Sequence, residues 1–526
     1  MSAKNSHERR ITGAASIVGS ATILSRILGY IRDAAVAFVF GAGMFADAFF
    51  MAFRIANLFR RLVGEGALTS SFIPIFTEEL NLRSKESIRG LVSSVFTLFA
   101  IILIIMTILG MVFSREIVLF MSPGFASDPQ KFEATVNLTQ LMFPYMVFIG
   151  LMAIAMGVLN SLKHFTAPAL APVFFNLAII ACVFGVAPFL NTPVYALAIG
   201  VLIGGVLQFG LQLPYLKRYG MMPGIRFNFK DPAIMKIFTL MGPAAFGVGV
   251  YQLNIFVTLW FSSQLAEGSV SYLYYAGRLM ELPLGVFGVA VGTAVLPSLS
   301  EHVAKKDWDG FRGSLTFALR IVNFVTIPAT IGLFVLSYPI IEVLFKRGEF
   351  GNEATYGTAV ALYYYAIGLI PVSISRILTS VFYSIKDTAT PVYVALVSFI
   401  FNVIFCFALT GPMGHGGLAL ATSLSSAINM IVLFLILKKR FGRFGGSEIF
   451  SSALKSGAAS AVMGIVTYLV IRWTGFEGMG AATKSGVIAL CLLIGVVTFV
   501  TVAKLLKSPE VAFLKGILKK RRQKTA

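Results

Sequence analysis

Fourteen stretches of about 20 mostly apolar residues, separated by short polar connections, dominate this chain and limit what it can fold into. They run over 11–40, 44–62, 90–113, 134–160, 168–189, 193–215, 234–261, 268–297, 313–345, 354–384, 391–410, 416–437, 453–473 and 485–505. A helix rises about 1.5 Å per residue, so each stretch spans the roughly 30 Å hydrocarbon core of a bilayer. Only 13% of residues are charged and 57% are hydrophobic. Soluble chains carry about 25% charged residues, so too little polar surface remains to cover a water-facing globule. The expected fold class is an all-α polytopic membrane protein with about fourteen transmembrane helices.

The first stretch follows Lys4, Arg9 and Arg10, as a signal peptide would. Arg26, Arg32 and Asp33 interrupt it and no small-residue cleavage site closes it, so it is expected to remain as a helix. The three cysteines, Cys182, Cys406 and Cys491, lie in apolar stretches without CxxC spacing, and the four histidines are scattered. No disulfide framework, metal site or cofactor is indicated.

The net charge of +20 would suggest nucleic acid in a soluble protein, but here its placement decides. With span ends counted in their connections, 31 of the 43 basic residues fall in alternate connections starting from the N-terminus, and six in the intervening ones. Basic connections stay in the cytoplasm, so both termini are expected there and no nucleic-acid partner is. The tail from Lys504 to Lys524 reads equally as a short helix on an anionic leaflet or as a disordered basic tail.

The chain also resembles itself at an offset of about 223 residues. Ala46–Arg54 aligns with Val270–Arg278, and Phe72-Ile-Pro74 with Val295-Leu-Pro297. Ser161-Leu-Lys163 aligns with Ser384-Ile-Lys386, and Leu216–Gly220 with Lys438–Gly442. Each copy holds six spans, and an even number preserves orientation. The expected organisation is two parallel six-helix lobes, 1–225 and 226–445, followed by two extra transmembrane helices and the basic tail, 446–526. Two such lobes around a central cavity make a transporter architecture.

Charged residues at membrane depth cost at least roughly 2.5–3.5 kcal/mol each, so they face a cavity or a partner. Arg26 and Asp33 share a face of the first span, with Arg32 rotated away. Asp47, Arg54 and Arg61 share a face of the second, beside Asn57. Ser271, Tyr275, Arg278 and Glu281 line the eighth. The planar fork of arginine suits a diphosphate, and Arg26, Arg32, Arg278 and Arg54 or Arg60 would select an anionic headgroup. The alternative is that each arginine pairs with Asp33, Asp47 or Glu281 to lock helices together. Arg320 is expected to snorkel to the cytoplasmic surface, and Arg376 has no assigned role.

The segment Gly41–Phe50 (GAGMFADAFF), followed by Asn57-Leu-Phe-Arg-Arg61 and Glu65-Gly-Ala67, resembles the MurJ (MviN) family. The likeness continues through Ser25-Arg26, Arg32-Asp33, Ser122–Phe125, Phe143-Pro-Tyr145, Tyr274–Glu281 and Phe382-Tyr-Ser384. These are the lipid II flippases of the multidrug/oligosaccharidyl-lipid/polysaccharide exporter superfamily. The resemblance implies fourteen helices, a cationic cavity between two lobes, and a groove on spans 13 and 14 for an undecaprenyl tail. It implies substrate contact at Ser25, Arg26, Arg32, Asn57, Ser271 and Arg278, and gating or conformational roles at Asp47, Arg60 and Glu65, to which Glu281 is added from its place on the eighth-span stripe. It favours Arg60 where the helical face favours Arg61. Ala56 replaces a proline usual in the family, and Gly277 replaces a frequent aspartate.

The expectation is then a lipid II flippase of the bacterial cytoplasmic membrane, working by alternating access for peptidoglycan synthesis. Its partners would be lipid II, membrane lipids and cell-wall synthesis proteins. Coupling to the membrane potential or to a monovalent cation is open. Another polyprenyl-linked saccharide as cargo, and a non-transporting scaffold for wall assembly, stand as alternatives. An enzyme would need a catalytic acid or base, often on a sizeable external loop, and the longest external connections offer only Asp128 and Glu133, as isolated candidates.

Overall fold

The computed structural model describes residues 2–60, 69–285, 289–442 and 444–512. Among them the chain forms nineteen α-helices and no strand, and it packs as two compact units.

The first unit comprises Met1–Val270 and Arg347–Phe350. Its helices are α1 (Ser2–Phe40), α2 (Met44–Arg60), α3 (Thr69–Leu82), α4 (Lys85–Val112), α5 (Ser114–Met121), α6 (Pro129–Met142), α7 (Tyr145–Ser161), α8 (Thr166–Gly185), α9 (Tyr195–Gly210), α10 (Leu213–Arg218) and α11 (Pro232–Ser263). α8 packs on α9 and α1, α2 on α6, and α3 on α7 and α11. Close approach of α8 and α9 depends on Gly200, where a Cβ would lie 2.9 Å from the Cα of Ile179. α3 falls in what the sequence marks as a connection. Its apolar face, Phe72, Ile75 and Phe76, is buried, but Glu78, Glu79 and Asn81 make it too polar and short to read as a span. α11, which the repeat assigns to the second lobe, packs on α3 and α5 of this unit.

The second unit comprises Ser271–Lys346 and Gly351–Ala526. Its helices are α12 (Ser269–Pro283), α13 (Val289–Ala304), α14 (Trp308–Phe345), α15 (Asn352–Ile367), α16 (Leu369–Ser384), α17 (Ala389–Phe441), α18 (Gly446–Trp473) and α19 (Ala481–Leu505). Leu299, Phe311, Leu315, Val381, Phe382 and Leu437 centre one core across α13, α14, α16 and α17. α17 breaks at Gly414, whose φ of 55° and ψ of −135° leave the helical region. Its limbs run antiparallel, because the Ser398 hydroxyl donates to the Ser425 carbonyl at 2.6 Å. α14 packs along α18, and α18 along α19.

Among the described residues, each expected span falls on a helix, a broken helix pair or one limb of α17. Among the described residues, eight helices are long and apolar enough to cross a membrane, nine if α15 and α16, bent by 42°, count as one. Of these, α17 supplies two of the expected spans as one helix. Three cysteines, one in each of α8, α17 and α19, are buried thiols.

Helix ends share one device. All the described non-glycine residues at positive φ are lysines: Lys163, Lys306, Lys386 and Lys507. Each closes a helix with a backbone bond reaching back five residues, as from His164 N–H to the Leu159 carbonyl (2.8 Å) and from Asp387 N–H to the Phe382 carbonyl (2.9 Å). A cation there also opposes the negative end of the helix dipole.

Candidate functional site

In the first unit, α1 carries Arg32 into a buried polar cluster. Arg32 donates from Nε (3.0 Å) and Nη2 (2.6 Å) to Oδ1 of Asp33, and from Nη1 to Oδ1 of Asn176 on α8 (3.1 Å). The Asn176 Nδ2 donates in turn to the backbone carbonyl of Ser25 (3.1 Å). Asp33 and Asn176 therefore both engage the Arg32 guanidinium. Arg26, two turns earlier, is exposed and makes no ion pair or hydrogen bond among the described residues. α1 thus presents one restrained guanidinium and one available one.

α1 gives way to α2 at Gly41, whose φ is 60° and whose Cβ would lie 2.5 Å from the Glu349 carbonyl. The turn places Asp47 at the start of α2, where a carboxylate also favours the positive end of the helix dipole. Asp47 Oδ2 accepts from Lys131 Nζ of α6 (2.8 Å) and from the Gly268 N–H (2.8 Å). Lys131 lies 4.3 Å from the ring centre of Phe125, a cation–π contact. The Met44 N–H donates to Glu267 Oε1 (2.7 Å). Asp47 therefore ties the start of α2 to α6 and to the backbone at Gly268.

Further along α2, Asn57 is half-buried and donates to the Phe53 carbonyl (2.9 Å). Ala56 is buried and α2 stays helical through it to Arg60. The Arg60 side chain, Arg61 and Glu65 lie outside the described residues.

In the second unit, α12 buries Ser271 and Tyr275, whose ring packs against Phe345 at 5.0 Å. Arg278 Nη1 lies 3.1 Å from Glu281 Oε2, with side chains 35% and 62% exposed. A pair this open is worth about 0–1 kcal/mol. A Cβ at Gly277 would meet nothing within 4 Å.

Arg320 donates to Glu510 Oε1 (2.7 Å) and Glu448 Oε2 (3.2 Å), since a carboxylate beyond α19 folds back onto it. Arg376 is exposed on α16 without a partner among the described residues. Neither loop carboxylate resembles a catalytic group: Asp128 caps α6 through the N–H groups of Gln130 and Lys131, and Glu133 pairs with Arg115 at the surface.

Sequence reasoning missed Asn176, Lys131 and Glu267. A lone Asn in an apolar span was the available signal for the first. Lys131 and Glu267 lie in connections, where a charge is unremarkable until its partner is known.

The lipid II flippase MurJ family model matches residues 36–481. A curated relative, the lipid II flippase MurJ of Burkholderia cenocepacia, is 37% identical over 91% of this chain and 94% of its own. A solved structure titled lipid II flippase MurJ, inward closed conformation, is 30% identical with a TM-score of 0.79, covering 93% of this chain and 98% of that one. An inward-facing multidrug resistance MATE family transporter of the MOP superfamily shares the fold, with a TM-score of 0.66 and 15% identity over 79% of this chain and 94% of its own. The chain belongs to the lipid II flippase MurJ family.

Proposed function

We propose that the chain moves lipid II across the bacterial cytoplasmic membrane to its outer leaflet by alternating access, for peptidoglycan synthesis. It is a transporter and not an enzyme. The observation that carries the reading is the exposed guanidinium of Arg26 in an apolar span, without a partner among the described residues, with Arg278 in a solvent-exposed pair with Glu281. Arg26 and Arg278 bind the pyrophosphate. Arg32 binds it while oriented by Asp33 and Asn176, with Ser25, Asn57 and Ser271 supplying polar contacts. Asp47, Arg60, Glu65 and Glu281 serve the conformational cycle.

Both termini face the cytoplasm, as the Lys/Arg bias of alternate connections indicates. The parallel repeat draws support from Lys163 and Lys386, which end their helices in the same way at equivalent positions. The membrane potential supplies the driving force, at about 2.3 kcal/mol per charge per 100 mV; a monovalent cation is the second candidate for coupling. Contacts with cell-wall synthesis proteins accompany transport.

Binding of a polyprenyl pyrophosphate to the purified chain tests the assigned roles. A charge-assisted hydrogen bond is worth about 1.5–3 kcal/mol. Arg26→Ala and Arg278→Ala are each expected to weaken binding by at least tenfold, with unchanged thermal midpoints. Unchanged affinity in both would remove them from the site.

A further inference from the structure

The end of the second unit where α18 starts and α19 finishes carries positive charge that its own carboxylates do not neutralise. Beyond α19 the chain turns at Lys507, which has a φ of 52°. A left-handed conformation costs a lysine roughly 1–2 kcal/mol, so something must hold it. The Lys507 N–H donates to the Lys504 carbonyl (3.0 Å), and the Ser508 N–H to the Ala503 carbonyl (2.9 Å). Past the turn, buried Glu510 accepts from Arg320 Nε (2.7 Å) and from the Ser452 hydroxyl of α18 (2.9 Å), and Ser508 donates to its other oxygen (2.5 Å). Val511 packs in an apolar cluster with Phe324, Ala459 and Phe499. The turn is a fixed piece of structure.

That arrangement consumes both nearby acids, since Glu448 and Glu510 are committed to Arg320. Lys455, Lys504 and Lys507 have no carboxylate partner among the described residues. Lys455 Nζ donates to the Lys507 carbonyl at 3.4 Å, which sets α18 and the turn side by side, and Lys504 lies one turn back along α19. Phe450, Leu454 and Leu505 are exposed beside them, and further along the pair Ile465 and Leu493 are exposed too.

We propose that Lys455, Lys504 and Lys507 form a binding site for the phosphate headgroup of an anionic membrane phospholipid, whose acyl chains lie against the apolar side chains of α18 and α19. Lysine is a flexible point charge and suits a phosphodiester that arrives in many orientations, whereas arginine suits bidentate recognition of a pyrophosphate. The site is thus chemically distinct from the one assigned to the cargo, and it stands whether or not the cargo is lipid II. Each lysine near such a headgroup contributes about a fivefold gain in affinity.

The test titrates the detergent-purified full chain with phosphatidylglycerol, phosphatidylcholine or a polyprenyl pyrophosphate, with retained lipid read by native mass spectrometry. The wild type is expected to prefer phosphatidylglycerol to phosphatidylcholine. The combined variant Lys455→Gln, Lys504→Gln, Lys507→Gln is expected to lose that preference by on the order of a hundredfold, and the corresponding Lys→Arg variant to keep it. Should the triple variant unfold, Lys455→Gln alone is expected to lose about fivefold. A preference that survives the Gln substitutions, or its absence in the wild type, overturns the proposal. Lysine-dependent retention of the polyprenyl pyrophosphate in place of phosphatidylglycerol would also overturn it, by giving these lysines to the cargo.

Discussion

Asn176 makes two hydrogen bonds through one amide, to Arg32 and to the carbonyl of Ser25, and so fixes the stretch of α1 that carries Arg26. Replacing it with alanine removes one hydrogen bond from the buried Arg32 guanidinium and one from the Ser25 carbonyl, at about 1–3 kcal/mol. Asn176→Ala is expected to lower the thermal midpoint and to weaken pyrophosphate binding, although Asn176 has no assigned contact with the ligand. Unchanged binding would confine the residue to a packing role. The buried Lys131–Asp47 pair allows a sharper measurement. Breaking a buried pair from one side costs about 3–5 kcal/mol, because the other charge is stranded. Asp47→Asn and Lys131→Met should each destabilise strongly, and the double variant by clearly less than their sum. Additive losses would mean that the two charges act independently. Arg26, Arg32 and Arg278 were legible in the sequence because a charge in an apolar span is conspicuous by itself. Asn176 and Lys131 were not, because their meaning depends on partners far away in the chain.

The helices show where periodicity suffices and where it fails. Apolar length pointed to the helices, but not to the breaks within them: α6 and α7 part at Phe143 and Pro144, α15 and α16 at Gly368, and α17 turns back at Gly414. Glycine and proline occur throughout membrane helices, so their presence did not single out those positions. The helix ends make a prediction of their own. Lys163→Gly and Lys386→Gly relieve a left-handed lysine and are expected to stabilise by up to about 1 kcal/mol each, read as a rise in thermal midpoint. A fall would show that the lysine side chains contribute more than their strain costs. Beside Lys163, the His164 ring stacks on Tyr215 at 4.5 Å. Burial, reinforced by Arg218, holds its pKa below the ordinary value of 6.5. A depressed histidine contributes stability that is present above the unfolded pKa and lost as pH falls through the folded one. The midpoint is therefore expected to begin falling below about pH 6.5, and His164→Phe to reduce that fall. Identical acid sensitivity in the two proteins would contradict this.

At the scale of the whole chain, an all-helical membrane fold and a flippase family follow from features that run the length of the sequence: apolar spans, alternating basic connections and the motif around Asp47. What such features do not convey is how charge is divided between structure and function. Arg32 and Arg320 are engaged by carboxylates, Arg26 has no partner among the described residues, and Arg278 holds an exposed one. The central claim is that the available arginines serve the transport of lipid II. It is tested most directly in a bacterium depleted of its own lipid II flippase and supplied with this chain as wild type or as Arg278→Ala. Exposure of lipid II on the outer face of the cytoplasmic membrane would be measured alongside growth. The account predicts that the wild type restores both, and that Arg278→Ala restores neither at equal membrane abundance. A well-expressed wild type that restores neither would contradict it.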